Sequence, residues 1–360
     1  MSDPERPEPP ERPYVTGGDR SAEDGAVAAT GMGGAMDLGA TEAETLEPRT
    51  PEHRPGGTDG PGGTDGTGGA GGTDGGRDAR ARSLWSDAWH DLRRNPVFIV
   101  SALVILFLVV ISIWPSAIAS GNPLHCDLAK AQDGAESGHP FGYNGQGCDV
   151  YTRTVYGART SVTVGVLATL GVAFLGSVLG ALAGFFGGAW DAVLSRLTDV
   201  FFAIPVVLGG LVLLSVITSN SIWPVIGFIV LLGWPQLSRI ARGSVITAKQ
   251  YDYVQAARAL GASPSRILLR HIAPNAVAPV IVVATIALGT YIALEATLSY
   301  LGVGLKPPSV SWGIDISAAS PYIRNAPHAL LWPSGALALT VLAFIMLGDA
   351  VRDALDPKLR

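Results

Sequence analysis

FIVSALVILFLVVISIW, Phe98 to Trp114, runs without a formal charge. A helix rises about 1.5 Å per residue, so about 20 apolar residues cross a hydrocarbon core of roughly 30 Å. The stretch reads as a membrane-spanning helix from Val97 to Ala119, entered through Arg93, Arg94, Asn95 and Pro96. In lipid the backbone must satisfy its own hydrogen bonds, so helices are the form such runs take.

Five more spans follow from the same reading. The second runs from Thr160 to about Phe186 and is rich in Gly, Ala and Ser, as in helices that pack closely inside a bundle. Val200 to Ser238 carries no formal charge and is too long for one span. Ser219, Asn220, Ser221 and Pro224 divide it into a third helix near 200–218 and a fourth near 222–238. The fifth runs from about Ala276 to Leu301 and the sixth from about Ala329 to Leu347. The expected fold is all-α and polytopic, with six transmembrane helices.

Ahead of the spans lies different material. Residues 1–76 hold fifteen Asp or Glu and five Lys or Arg, and GGTDG recurs at Gly56–Gly60, Gly62–Gly66 and Gly71–Gly75. So little apolar surface cannot offset chain entropy, and residues 1–82 read as a disordered acidic Gly/Pro-rich tail. The net charge of −5 therefore describes neither part of the chain. The expected order after the tail is an amphipathic segment with the first span (83–120), an external loop (121–159), a core (160–351) containing a cytoplasmic loop (239–275), and a C-terminus (352–360).

Lys and Arg orient the bundle. Counted from Arg80, one side holds fourteen, including Arg239, Arg242, Lys249, Arg258, Arg266 and Arg270; the other holds Lys130, Arg153, Arg159, Lys306 and Arg324. The positive-inside bias puts both termini in the cytoplasm. Cys126 and Cys148 then share the external loop, as a disulfide in an oxidising compartment or as two thiols. His125 and His139 lie nearby, but no metal site is expected. Trp223, Trp234, Trp312 and Trp332 sit near span ends, where they read as interface anchors.

The chain has no GxxxxGK[ST] loop, so it lacks the cradle that holds ATP phosphates. HExxH and GxSxG are absent too, and no catalytic set is expected. Glu295 is the one acid well inside an expected span, which disfavours an ion-coupled carrier. What remains is a channel, a scaffold, or a pore subunit driven by another protein.

SRIARGSVITAKQYDYVQAARALGASPSRILLRHIAPNAVAP, Ser238 to Pro279, narrows the choice. Val254 to Leu260 favours helix, and Gly261 suits a helix end. Ser263 and Pro264 read as an N-cap and first helical position. A second short helix is expected from Pro264 to about Ile272, ended by Pro274. The result is a helix–turn–helix bracket.

QAARALGA followed by HIAPN resembles the coupling-loop signature, or EAA loop, of ATP-binding-cassette importer permeases. Ala256, Ala257, Gly261 and Pro274 fit the pattern; Gln255 stands for Glu, His271 for Ile and Ala273 for Leu. LRRNP (Leu92–Pro96), FGYNGQGCDVYTRTVYGARTS (Phe141–Ser161) and EATLSYLGVGLKPPSVSWG (Glu295–Gly313) are similar to strings of dipeptide and oligopeptide permeases. Cys148 stands where that pattern usually has Arg. The resemblance covers about residues 84–358.

It implies a type I importer permease of a bacterial inner membrane, carrying di- or oligopeptides or similar solutes. Nickel chelates, opines and glutathione-like peptides are rival cargoes; an unpowered channel or scaffold is the rival class. The ATPase-coupling surface is expected to comprise Gln255, Ala256, Ala257, Arg258, Gly261, Ala262, Ser263, Arg266, His271 and Pro274. Glu295 is expected on the substrate pathway or in a buried structural pair. The implied partners are a second permease chain, two cytoplasmic ATPase subunits, an external solute-binding protein and the lipid bilayer, with no nucleic acid. No cofactor is expected on this chain; ATP and Mg belong to the partner ATPases.

Overall fold

The computed structural model describes residues 92–217, 219 and 221–355, so the expected tail, the expected amphipathic segment from 83 to 91, residues 218 and 220 and the last five residues lie outside it. Among the described residues every long element is a helix, and only isolated bridges occur outside helices. Helix α1 is Pro96–Ile113. The Asn95 side chain accepts from Val97 N at 2.9 Å, with Pro96 where its missing N–H is not needed. The helix stops six residues before Ala119 because Pro115 cannot continue the ladder and opens a short 3₁₀ turn, Pro115–Ala117.

Helix α2, Val150–Phe186, is 37 residues long and starts ten residues earlier than the hydropathy suggests. Asp149 caps it, accepting from Tyr151 N and Thr152 N. Apolar content marks where a helix enters lipid; capping marks where it begins. Helix α3 is Gly188–Phe202 and α4 is Val206–Val216, and the two meet at an 84° bend. Then come α5 (Trp223–Ala248), the short α6 (Asp252–Ala259) and α7, which runs unbroken from Pro264 to Tyr300. Helices α8 (Trp312–Ala319) and α9 (Pro327–Leu355) complete the chain.

Side-chain contacts decide how many times the chain crosses. A Cβ on Gly171 would meet Val230, one on Gly176 Leu237, one on Gly180 Ala241, and one on Gly184 Val245. The two series rise together, so α2 and α5 are parallel. Trp223 therefore stands near the level of residue 164. Between Phe186 and Trp223 the chain must climb back over about 22 residues of helix rise, roughly 33 Å. Neither α3 nor α4 covers that distance alone, at about 22 Å and 16 Å. The bent pair is thus one crossing, which gives six. Helix α7 runs the other way: Ile292 lies at Gly165, while Ala276 and Val277 share a groove with Val178 and Ala181.

The bundle has two faces. One carries α6 and the start of α7; the other carries residues 114–149 and α8. The main apolar core joins α2, α5 and α7 through Val164, Val172, Ile229, Leu237 and Leu298. Trp234 and Trp312 belong to the buried interior rather than to a membrane interface, whereas Trp223 and Trp332 are exposed. The parallel α2–α5 pair needs its glycines: a Cβ on Gly180 would lie 2.3 Å from the Ser238 carbonyl oxygen.

Candidate functional site

The bracket begins at the end of α5. Helix α6 is tied back to it by Gln255, whose Nε2 donates to the Lys249 carbonyl at 2.9 Å. Lys249 in turn reaches the end of α2, donating to Phe185 O at 2.8 Å and Gly184 O at 3.3 Å. Those carbonyls have no partner within their own helix, so the ammonium caps it. Beneath α6, Val254 packs fully buried with Val245, Ala248, Ile267, Ile272 and Ala276. The short helix is therefore seated on α5 and α7.

Its end is a Schellman turn. Ala262 N donates to Ala257 O at 3.1 Å and Gly261 N to Arg258 O at 3.0 Å. Gly261 has φ +79°, the left-handed conformation that suits glycine, and a Cβ there would meet nothing within 4 Å. Backbone conformation, not space, selects this glycine. Ser263 occupies the N-cap position as expected, but its hydroxyl accepts no backbone hydrogen bond; it faces Ser265 Oγ at 3.5 Å.

The second short helix does not exist as a separate piece. The chain passes from Pro264–Arg266 through a π-helical turn, Ile267–Ile272, straight into Ala273–Tyr300. In a regular helix the Pro274 ring would strike the carbonyl four residues back. Here the wider turn relieves that contact: Ala273 N donates to Leu268 O, five residues back. The His271 carbonyl accepts instead from Asn275 Nδ2 at 2.9 Å and Tyr253 Oη at 3.3 Å. Proline at this point changes the helix's pitch without ending it.

The outward surface of the bracket is mixed. Gln255, Ala256, Arg258, Ser263, Arg266 and Pro274 are exposed, and Ala257, Ala262 and His271 are half-buried. Leu260 is 88 % exposed and Leu269 70 % exposed. Sequence reasoning passed over both leucines. Leu260 had a signal, a large apolar residue immediately before the turn glycine. Leu269 had none, because its outward direction depends on the π turn. Arg258, Arg266 and Arg270 meet no carboxylate among the described residues. Arg239 and Arg242 do: they hold Asp199 (2.7 Å) and Asp191 (2.6 Å), tying the bent crossing to α5.

Glu295 lies far from the bracket, near the C-terminal end of α7. It is 0 % exposed. Ser299 Oγ donates to its Oε1 at 2.8 Å, and Ser161 and Ser311 stand beside it. Cys126 and Cys148 form a disulfide on that same face, with Cα atoms 4.0 Å apart. Among the described residues no group of three or more His, Cys, Asp or Glu side chains is arranged to hold a metal ion.

Comparison with known proteins supplies the family of this bracket and its charge-poor bundle. Residues 176–360 match the binding-protein-dependent transport system inner membrane component, and residues 83–134 match the N-terminal transmembrane domain of oligopeptide transport permease C. The chain belongs to this permease family. It is 35 % identical to the oligopeptide transport system permease protein OppC of Bacillus subtilis over 281 residues, 78 % of this chain and 92 % of that one. To the dipeptide transport system permease protein DppC of Alkalihalophilus pseudofirmus it is 35 % identical over 280 residues, again 78 % and 92 %. To the glutathione transport system permease protein GsiD of Escherichia coli O157:H7 it is 37 % identical over 282 residues, 78 % and 93 %. The permease is thus a multi-pass membrane subunit of a solute transport system, and its bracket falls inside the matched segment.

Proposed function

We propose that this permease is one membrane-spanning half of an ATP-driven importer for dipeptides, oligopeptides or peptide-like solutes. It makes a pore with a second, related permease chain. Two cytoplasmic ATPase subunits supply the energy, and an external binding protein delivers the solute. The chain itself binds no nucleotide and catalyses no reaction. The names of its relatives support the cargo class, and the glutathione permeases among them keep small thiol peptides within it.

Two independent arguments support the orientation. Lys and Arg gather on the bracket face, as cytoplasmic loops do. The disulfide belongs to a compartment where thiols oxidise. Both support a bacterial cytoplasmic membrane with the bracket and both termini inside.

One observation carries the mechanism: α7 is continuous from the bracket to the far end of the bundle, about 55 Å at 1.5 Å per residue. ATP binding draws two ATPase subunits together, and each holds a bracket in a groove as a partner groove holds a helix. Leu260 and Leu269 supply the apolar contact; Arg258, Arg266 and Arg270 match acidic groups at roughly 0–1 kcal/mol each. With no joint at Pro274, movement of the bracket tilts the fifth span directly, and it tilts the fourth through the end of α5, from which the bracket begins. Co-expression with candidate ATPase and binding-protein genes tests this. The complex should purify intact and take up peptide only while ATP is hydrolysed. Uptake that persists with ATPase-dead partners would remove the proposal.

A further inference from the structure

On the disulfide face one arginine joins three segments. Arg153 lies on α2, about 11 residues beyond the level where α5 begins. Its Nε donates to Asp315 Oδ1 of α8 at 2.7 Å, Nη2 donates to the same oxygen, and Nη1 donates to the Pro123 carbonyl of the external loop at 3.0 Å. The two side chains are only 13 % and 8 % exposed. A buried pair of this kind is a poor source of net stability, and its better-attested use is to fix one arrangement against others.

The loop that Arg153 grips is stiff. The Cys126–Cys148 disulfide closes it, Asn144 N donates to Cys148 O at 3.0 Å, and Val150 N donates to Gly142 O at 3.0 Å. It also rests on α9, with His328 Nε2 at 3.0 Å from Tyr143 O and the Phe141 ring stacked 3.8 Å from that of Trp332. A push on this loop therefore moves as a body rather than dissipating within it.

From Asp315 the contacts run inward. One turn earlier Trp312 is buried, its Nε1 donating to Thr154 O at 2.9 Å and its backbone N reaching Ser161 Oγ at 3.4 Å. Ser161 and Ser311 flank Glu295, which Ser299 holds, and Ser299 Oγ also accepts from Leu305 N at 3.0 Å. Glu295 and Ser299 belong to α7, whose other end is the bracket. Beside the arginine a small cavity of about 10 Å³, near the size of one water, touches Asn144, Thr154 and Asp315.

We infer that Arg153 and Asp315 are positioning residues that convey docking at the disulfide-closed loop to the outer end of α7, and so to the ATPase at its inner end. The inference rests on the proposed function and deepens it. Coupling of this kind is reciprocal, so nucleotide state also changes affinity for the external partner.

The test uses the whole complex in lipid nanodiscs. ATP hydrolysis is measured alone and with saturating solute-loaded binding protein, for wild type, Asp315→Asn, Arg153→Asp, and the exchange Arg153→Asp with Asp315→Arg. Asp315→Asn should leave assembly and basal hydrolysis unchanged while stimulation by the binding protein falls at least fivefold. The exchange should recover stimulation relative to Arg153→Asp. Unchanged stimulation in Asp315→Asn, loss of its assembly, or an exchange no better than Arg153→Asp overturns the inference. A wild-type chain that brings down no ATPase removes the parent reading and this one with it, whereas normal transport by Asp315→Asn removes this one alone.

Discussion

Replacement of Gly261 separates a conformational requirement from a steric one. At φ +79° an L-residue other than Asn or Asp costs about 1–2 kcal/mol, since its Cβ crowds the following carbonyl. No atom beyond residues 260–262 lies within 4 Å of that Cβ position, so tertiary volume adds nothing. An energy of one to two kcal/mol is about a fivefold to thirtyfold change in an equilibrium. The turn should open by that factor in Gly261→Ala, more in the β-branched Gly261→Val, and least in Gly261→Asn, which tolerates left-handed backbone. The measurement is amide exchange across residues 257–263 together with retention of ATPase subunits on the immobilised complex. The expected order is Gly, Asn, Ala, Val, although Asn is bulkier than Ala. An order that follows size, with Ala above Asn, would refute the argument, as would a Gly261→Val complex that assembles and transports normally.

Three further outcomes are expected. Replacing Cys126 and Cys148 by Ser opens a loop with a sequence separation of 22 and should cost about 3 kcal/mol of local stability, seen as faster proteolysis within 127–147. In that same loop Lys130 and Tyr143 donate hydrogen bonds to Glu136 and hold its carboxyl below its usual 4.5. A depressed folded pKa gives stability that is present above 4.5 and lost as pH falls through the folded value, so protection of this loop should drop on acidification below about 4.5, and Glu136→Gln should remove that dependence. Gly180→Val should disrupt the α2–α5 contact and lower thermal stability of the membrane domain, because its Cβ would sit 2.3 Å from a backbone oxygen; Gly227→Ala, with nothing within 4 Å, should melt at or above the wild-type temperature.

The six spans were legible because each needs a charge-poor run, and Phe98–Trp114 or Val200–Ser238 admits little else in lipid. Their ends were less legible. Asp149 caps α2 eleven residues before Thr160, where the apolar run begins, and between them Thr152, Arg153 and Thr154 meet the 114–149 loop and α8 rather than lipid. Pro274 was misread for a related reason: proline forbids one hydrogen bond, and a π turn omits that bond locally without ending the helix. The third span reads as 200–218 because Asp191, Arg196 and Asp199 interrupt the charge-free run, whereas the chain bends at 203–205 and brings charged α3 into the same crossing. In the bracket, the Ala pair, the turn glycine and Gln255 were visible as a pattern. Leu260 and Leu269 became visible only as directions in space. The Arg153–Asp315 pair joins residues 162 positions apart, and no local signal in the chain announces it.

The most direct trial of a bracket-driven pore is flux through liposomes holding either the purified permease alone or the full complex with its second permease, ATPase subunits and binding protein. Peptide should stay outside vesicles of the lone chain and enter the complex only with hydrolysable ATP. Movement of peptide down its gradient through the lone chain, with no ATPase present, would contradict the account.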